Sequence, residues 1–381
     1  MPRMETKKLD FVFFDAGGGH RAAATALQAA IAAEGRPWEV RLVNFQDVLD
    51  ELDVFRKITG IRLQDIYNLI LKKGWTLGSA QMLVFLHGMI RLYHPAQVKE
   101  LKKFWASREP DLVVSVIPNF ARALYQSLHA VHPSVPLVTV LTDMADYPPH
   151  FWMEPGQDQF WICGTQEACE QARVMGYGKD RVFGVSGMVL HPRFYQPVEV
   201  DRAAERVKLG LDAAKPTGLI LFGGQGSPAI RRIMERLEGA ELEAQYIVIC
   251  GKNDALREAL QARRWSFPVH IEGFTKEIPY FMKLSDFFVG KPGPGSISEA
   301  LAMELPVIVE KNAWTLPQER FNADWVERNK VGIVLGGFSE IVPAIGRLLK
   351  AGVLAEFRAN AARCHNRAVF EIPPILEGLM K

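Results

Sequence analysis

No stretch of this sequence is long and apolar enough to cross a bilayer. The longest apolar runs, such as Met82–Ile90, fall short of the roughly 20 residues that a spanning helix needs. The N-terminus, MPRMETKKLD, is basic but has no apolar signal core before the first strand. Contact with a membrane is therefore expected to be peripheral. Cysteine is scarce, with Cys163, Cys169, Cys250 and Cys364 the only four, and none forms a CxxC pair. That pattern argues against a zinc site or a disulfide framework and makes a reducing cytoplasm the default. Excess charge is lacking too: 45 Lys and Arg against 43 Asp and Glu leave a net charge of +2. A generic nucleic-acid binder would be far more basic. There is no internal repeat at solenoid period and no low-complexity tract.

The chain does have enough length and apolar content for two cores, with 381 residues, 48% hydrophobic and 23% charged. Short apolar runs alternate with helical stretches. Phe11–Ala16, Val40–Phe45, Leu112–Ile117, Leu137–Leu141, Phe160–Cys163 and Arg181–Val185 read as buried parallel strands, and alanine-rich Arg21–Ala33 reads as a helix. The alternation weakens over Gln196–Pro216. It resumes with Leu219–Phe222, Tyr246–Cys250, Val269–Ile271, Phe287–Val289, Val307–Val309 and Val331–Leu335. The expectation is an α/β protein of two Rossmann-like domains facing a central cleft. The first spans 1–197, a linker 198–216 and the second 217–365. A tail, 366–381, could pack back on the first.

Residues 51–110 break the rhythm and read as a helical insertion. Arg56, Lys57, Arg62, Lys72, Lys73, Arg91, Lys99, Lys102, Lys103 and Arg108 outnumber the acids there, and Trp75, Phe85 and Tyr93 are interleaved. Such a segment can rest on an anionic membrane, its aromatic rings at headgroup level. It can equally be a solvated basic face over an ordinary core.

Four constellations carry chemistry. In Asp15-Ala-Gly-Gly-Gly-His20-Arg21, glycines that include Gly18 and Gly19 let a ligand approach the backbone, and His20 opens the helix. A histidine there can take a proton from a hydroxyl near neutral pH, or simply cap the helix. The spacing is not that of a GxGxxG dinucleotide turn. Asp143 ends a strand in Leu-Thr-Asp and precedes an aromatic loop with His150 and Trp152. It can line a cleft or cap a turn. Gly223, Gly224, Gln225 and Gly226, followed by Ser227, form a turn that can cradle a phosphate, although glycine turns also serve tight packing.

The fourth constellation is the most specific. Pro292, Gly293, Pro294, Gly295 and Ser296 form a rigid loop opening a helix, whose free N–H groups can hold a diphosphate without a metal. Glu299, one turn in, would repel phosphate and is better placed for ribose hydroxyls. Gln318, Glu319 and Asn322 begin the next helix and can hold sugar hydroxyls. Capping and solvent-facing polar side chains are the alternative for all of these.

Taken in order, GGGHRAAATAL, TVLTD, LFGGQG, ICGKND, EGFTKEIPYFMKLSDFFVGKPGPGSISEAL and LPQERFNADWV resemble glycosyltransferase family 28. Within it they are similar to the monogalactosyldiacylglycerol synthases and the bacterial diacylglycerol glucosyltransferases. The peptidoglycan UDP-GlcNAc transferase is a more distant match. The chain departs from these relatives at Ile117-Pro118-Asn119, where they carry His-Pro, and at Leu316-Pro317, where a glycine often precedes Gln-Glu.

The resemblance implies a GT-B fold, a UDP-hexose donor, an inverting transfer, no cofactor and no essential metal. It assigns His20 as the base, with Asp143 the other catalytic candidate, and Phe274 and Thr275 to the uracil. It gives Glu299 and the GPG loop to ribose and diphosphate, Gln318 and Glu319 to the donor sugar, and Trp152 to the acceptor side. It further implies a lipid acceptor such as diacylglycerol, and a cytoplasmic enzyme peripheral on the inner face of the membrane. Two rivals are a UDP-sugar 2-epimerase and a non-catalytic nucleotide-sugar sensor.

Overall fold

The computed structural model describes residues 6–15, 18–50 and 87–380. Most of the proposed membrane insertion, including Arg56, Lys57, Arg62, Lys72, Lys73, Trp75 and Phe85, lies outside the described residues.

Two six-stranded, wholly parallel sheets organise the chain. The first has the order β2-β1-β3-β4-β5-β6, built from β1 (Lys7–Phe13), β2 (Trp38–Asn44), β3 (Leu112–Ser115), β4 (Leu137–Val140), β5 (Phe160–Cys163) and β6 (Val182–Gly184). The second has the order β12-β11-β10-β7-β8-β9. Its strands are β7 (Thr217–Leu221), β8 (Gln245–Ile249), β9 (Val269–Glu272), β10 (Phe287–Val289), β11 (Val307–Glu310) and β12 (Gly332–Leu335). Every strand expected from the apolar runs is present, within a few residues at its ends. Buried on both faces, strands such as Leu112–Ser115 and Thr217–Leu221 expose nothing, which is why they read as continuous apolar runs.

The described residues divide into two compact units. One holds those up to Pro192 together with Asn366 onward; the other is Arg193–His365.

In the first unit, α1 (Gly19–Ala33) starts two residues before the alanine-rich run, with Gly18 at a positive φ before it. Helices α2 (Phe45–Leu49) and α3 (His94–Ala106) share one core cluster with β1 and β3 through Phe45, Leu49, Leu101 and Trp105. Asp10 sits inside β1 at 0% exposure. Two guanidiniums satisfy it: Arg41 donates at 2.6 Å and Arg108 through two bonds of 2.9 Å. A buried carboxylate needs such pairing to remain charged. Arg108 also lies over the Phe104 ring. Its role is therefore structural, which removes it from the basic surface expected of residues 51–110. Two further helices, α4 (Ala121–Val131) and α5 (Gln166–Val174), cover the sheet.

The segment 198–216, expected as a linker, carries α6 (Arg202–Lys208). Asp201 caps it, and Arg202 and Arg206 both bond Asp286 at 2.7 Å. A charged seven-residue helix has no apolar period long enough to show in the sequence. The second unit continues with α7 (Pro228–Leu237), α8 (Asp254–Gln261), α9 (Ile278–Lys283), α10 (Pro294–Ala302), α11 (Pro317–Arg328), α12 (Ile341–Leu348) and α13 (Val353–Ala362). The last helix, α14 (Ala368–Leu379), packs on α1, and Arg36 reaches Glu377 at 3.1 Å. No helix among the described residues is long and apolar enough to cross a membrane.

Candidate active site

In the first unit the chemistry gathers where β1, β3 and β4 end. His20 is the second residue of α1 and half-buried. Its Nδ1 lies 2.7 Å from the Val116 carbonyl and 3.1 Å from Thr142 Oγ1. A carbonyl can only accept, so Nδ1 carries the proton and Nε2 keeps its lone pair. Burial lowers the His20 pKa to about 4, the Val116 bond pulling it partly back up. Near neutral pH the ring is thus a neutral imidazole in the tautomer a base requires.

Asp143 is buried, and Trp152 Nε1 donates to its Oδ2 at 2.8 Å. The Trp152 ring stands 6.1 Å from that of His20. Trp152 is 1% exposed, so its part is to hold Asp143 and wall the His20 site, not to offer an open platform to an acceptor. Asp146 fixes the aromatic loop by accepting from the backbone of His150 and Trp152, and burial raises its pKa. His150 itself is exposed, at a φ of 65°. Asn119, also at positive φ, meets His87 Nε2 at 2.6 Å. Sequence reasoning missed the Val116 carbonyl, Thr142 and the His87–Asn119 pair. A strand-end carbonyl carries no side-chain signature.

In the second unit, Gly223–Gly226 form a turn that only glycine tolerates at its end. A Cβ on Gly226 would lie 2.2 Å from the Cys250 carbonyl. Gly224 and Gln225 are exposed, and Ser227 caps α7 through Ala229 N. Phe274 is 54% exposed beside Gly224, with Lys252 Nζ 5.3 Å from its ring centroid. Thr275 accepts from Glu277 N at 3.0 Å.

The GPG loop leads into α10 with Gly293 as N-cap and Pro294 next. Proline has no N–H to offer, so Gly295 and Ser296 present the free amides of the first turn. Glu299 is half-buried, and the protein packed around it raises its pKa to about 7, the Arg193 charge opposing the rise.

On α11, Gln318 is partly open. Glu319 is buried and ion-paired to Lys291 at 2.6 Å. Asn322 departs from expectation. It is 0% exposed and donates to the Pro292 carbonyl at 2.9 Å, so it positions the GPG loop and cannot reach a sugar hydroxyl. Its place one turn along the helix, on the inward face, turns it away from solvent.

Two family descriptions match consecutive parts of the chain: monogalactosyldiacylglycerol (MGDG) synthase over residues 20–189, and the glycosyltransferase family 28 C-terminal domain over residues 219–334. The chain belongs to glycosyltransferase family 28.

This family 28 enzyme is 28% identical to monogalactosyldiacylglycerol synthase 2, chloroplastic, of Arabidopsis thaliana, over 96% of this chain and 80% of that protein. Its fold is similar to that of MurG from Acinetobacter baumannii, with TM-score 0.64, 11% identity, and 98% and 99% of the two chains covered. A UDP-GlcNAc 2-epimerase from Neisseria meningitidis is also similar, with TM-score 0.60, 14% identity, and 98% and 99% covered. The fold is GT-B. An epimerase shares it, so the distinction between transfer and epimerisation rests on the family match and on the site's own chemistry.

Proposed function

We propose that this family 28 enzyme transfers a hexose from a UDP-hexose to diacylglycerol with inversion at the anomeric carbon. The observation that carries the reading is His20, a neutral imidazole whose Nδ1 proton is fixed by Val116, leaving Nε2 to act as base. A sensor has no use for such a group. The acceptor hydroxyl gives its proton to Nε2 while its oxygen bonds the anomeric carbon. The bond from that carbon to the β-phosphate oxygen breaks, and UDP departs. The charge developing on the diphosphate is met by the Gly295 and Ser296 amides at the positive end of α10 and by Lys291. Glu299 accepts from the ribose hydroxyls, Phe274 and Thr275 flank the uracil, and Gln318 and Glu319 contact the hexose. Asp143, buried and bonded by Trp152, steadies the wall beside His20.

The enzyme works at the inner face of the membrane from the cytoplasmic side. Arg91, Leu92, Tyr93, Lys99, Lys102 and Lys103 are all exposed at or beside α3, which supports docking on an anionic surface. The relatives that match most of the chain are named for diacylglycerol products, which supports a lipid acceptor.

The test is to give the purified protein UDP-galactose or UDP-glucose with diacylglycerol in anionic vesicles, and to read products by mass spectrometry and NMR. The expected product is a β-hexosyl diacylglycerol formed with release of UDP. A 2-epimerised UDP-sugar formed without lipid would make the protein an epimerase, and intact donor would make it a binder.

A further inference from the structure

Asp286 stands just before β10, at the edge of the second sheet where its parallel strands start. The GPG loop follows the other end of β10, with about 10 Å of extended chain between the two places. Three guanidiniums converge on this one carboxylate. Arg202 donates to Oδ1 at 2.7 Å, Arg358 donates to Oδ1 at 3.4 Å and Arg206 donates to Oδ2 at 2.7 Å. The Thr217 backbone N–H also donates to Oδ2, at 2.8 Å. Asp286 is thereby saturated, since a carboxylate accepts about four bonds.

The arginines are not. Arg202 uses only Nη2, for Asp286 and the Ser285 carbonyl, and its Nε is buried with no hydrogen-bond partner among the described residues. Arg358 uses only Nη1. Arg206 is spent, its Nε, Nη1 and Nη2 going to Leu284, Ala213 and Asp286. A buried N–H without an acceptor is costly, and native proteins fill such places with water or an ion.

The charges point the same way. Three positive groups share one negative group, so two positive charges are unmatched within the cluster. Burial draws the Arg206 pKa down, and the Arg202 charge adds to the fall although Asp286 and Asp212 oppose it. The neighbouring acids are committed elsewhere. Asp201 caps α6, Asp212 accepts from the Ala214 and Lys215 amides, and Glu205 pairs with Lys208. The Arg202 and Arg358 side chains are 32% and 35% exposed, so a ligand can reach both from water, whereas that of Arg206, at 5%, is closed off.

We propose that Arg202 and Arg358 form an anion site separate from the GPG loop, at the strand-start edge of the second sheet, that takes a phosphate monoester or inorganic phosphate. A guanidinium offers planar pairs of N–H groups that match phosphate oxygens. Such a phosphate carries about −1.5 to −2 near neutral pH, which answers the unmatched charge, while a carboxylate or a phosphodiester carries only about half of it. The phosphate can be dissolved or can belong to a lipid headgroup, since both present the same oxygens and charge.

The test is a calorimetric titration of the full chain with inorganic phosphate at constant ionic strength. Beside it runs sedimentation with phosphatidylcholine vesicles that hold either phosphatidic acid or phosphatidylglycerol. The wild type should bind phosphate, and Arg202→Gln and Arg358→Gln should each weaken that binding by about 10-fold. Arg358→Gln gives up a single bond of 3.4 Å to Asp286, so its fold is kept even if Arg202→Gln loosens α6. Arg358→Lys, which keeps the charge, should lose less. UDP affinity should be the same in the wild type and Arg358→Gln, because β10 separates the two places. A preference for phosphatidic acid vesicles that both Gln variants lose would put the phosphate on a lipid. Vesicle binding indifferent to the variants, with phosphate binding that follows them, would make the ligand a soluble phosphate. If neither phosphate affinity nor vesicle preference depends on Arg202 and Arg358, the site is overturned.

Discussion

His20 in the first unit and Glu299 in the second are both half-buried, both near the start of a helix that follows a parallel strand, and both perturbed chiefly by loss of water. Desolvation disfavours the charged form in each case, yet the functional result is opposite. The histidine falls to about 4 and stays neutral at any pH near 7. The glutamate climbs to about 7 and stands at its midpoint there. On the function proposed above, the base is always in its working form, while the carboxylate of Glu299 stands between its two forms. pH sensitivity near neutrality is expected in donor affinity and not in the proton-accepting step.

The contrast can be broken at either end. The largest effect is expected from His20→Ala, which should cut turnover by about 10²–10⁴-fold while UDP-hexose affinity holds. Steady-state kinetics beside calorimetry would show it, and a parallel loss of affinity would mean that the two sites are not separable. Glu299→Ala should do the reverse, weakening UDP-hexose binding by about 10–100-fold through lost charged hydrogen bonds, with turnover at saturation nearly kept. Asn322→Ala should leave the Pro292 carbonyl unpaired in a buried place and lower stability by about 1–3 kcal/mol, read by urea denaturation.

The smallest effect sharpens the comparison through stability. His20 has a depressed folded pKa, so its stabilising contribution is full above the unfolded value of about 6.5 and is lost as pH falls toward 4. Glu299 has a raised one, so its protonated form contributes below about 4.5 and that contribution is lost as pH rises through about 7. Melting between pH 6.5 and 5 should fall by about 2–4 °C less in His20→Ala than in the wild type. Equal slopes would remove the buried-neutral account of this histidine.

The strands were legible because parallel strands covered on both faces leave no room for alternation. Phe160–Cys163 and Phe287–Val289 begin and end where their apolar runs do. Asp10 was not legible: a charge inside β1 makes sense only once Arg41 and Arg108 are brought to it from distant parts of the chain. Helix α6 was hidden by its brevity, and α14 by Pro373 and Pro374, which sit inside it while Val369, Ile372 and Leu376 are buried. In the site, glycines and prolines announced the loops, and His20 and Glu299 stood beside them. Val116 and Thr142 went unseen because they act on His20 from just beyond the ends of β3 and β4. Asn322 was placed in the right neighbourhood with the wrong orientation, since helix phase decides whether a polar residue faces a ligand or a loop carbonyl.

Asp10 also has a consequence for how this protein could be re-engineered. It fastens Arg41, from β2, and Arg108, just beyond α3, to the same buried point, while α2 and α3 pack in one cluster. Any redesign around α2 and α3 must therefore keep Asp10, Arg41 and Arg108 together, because β1 runs on towards α1 and the histidine near its start.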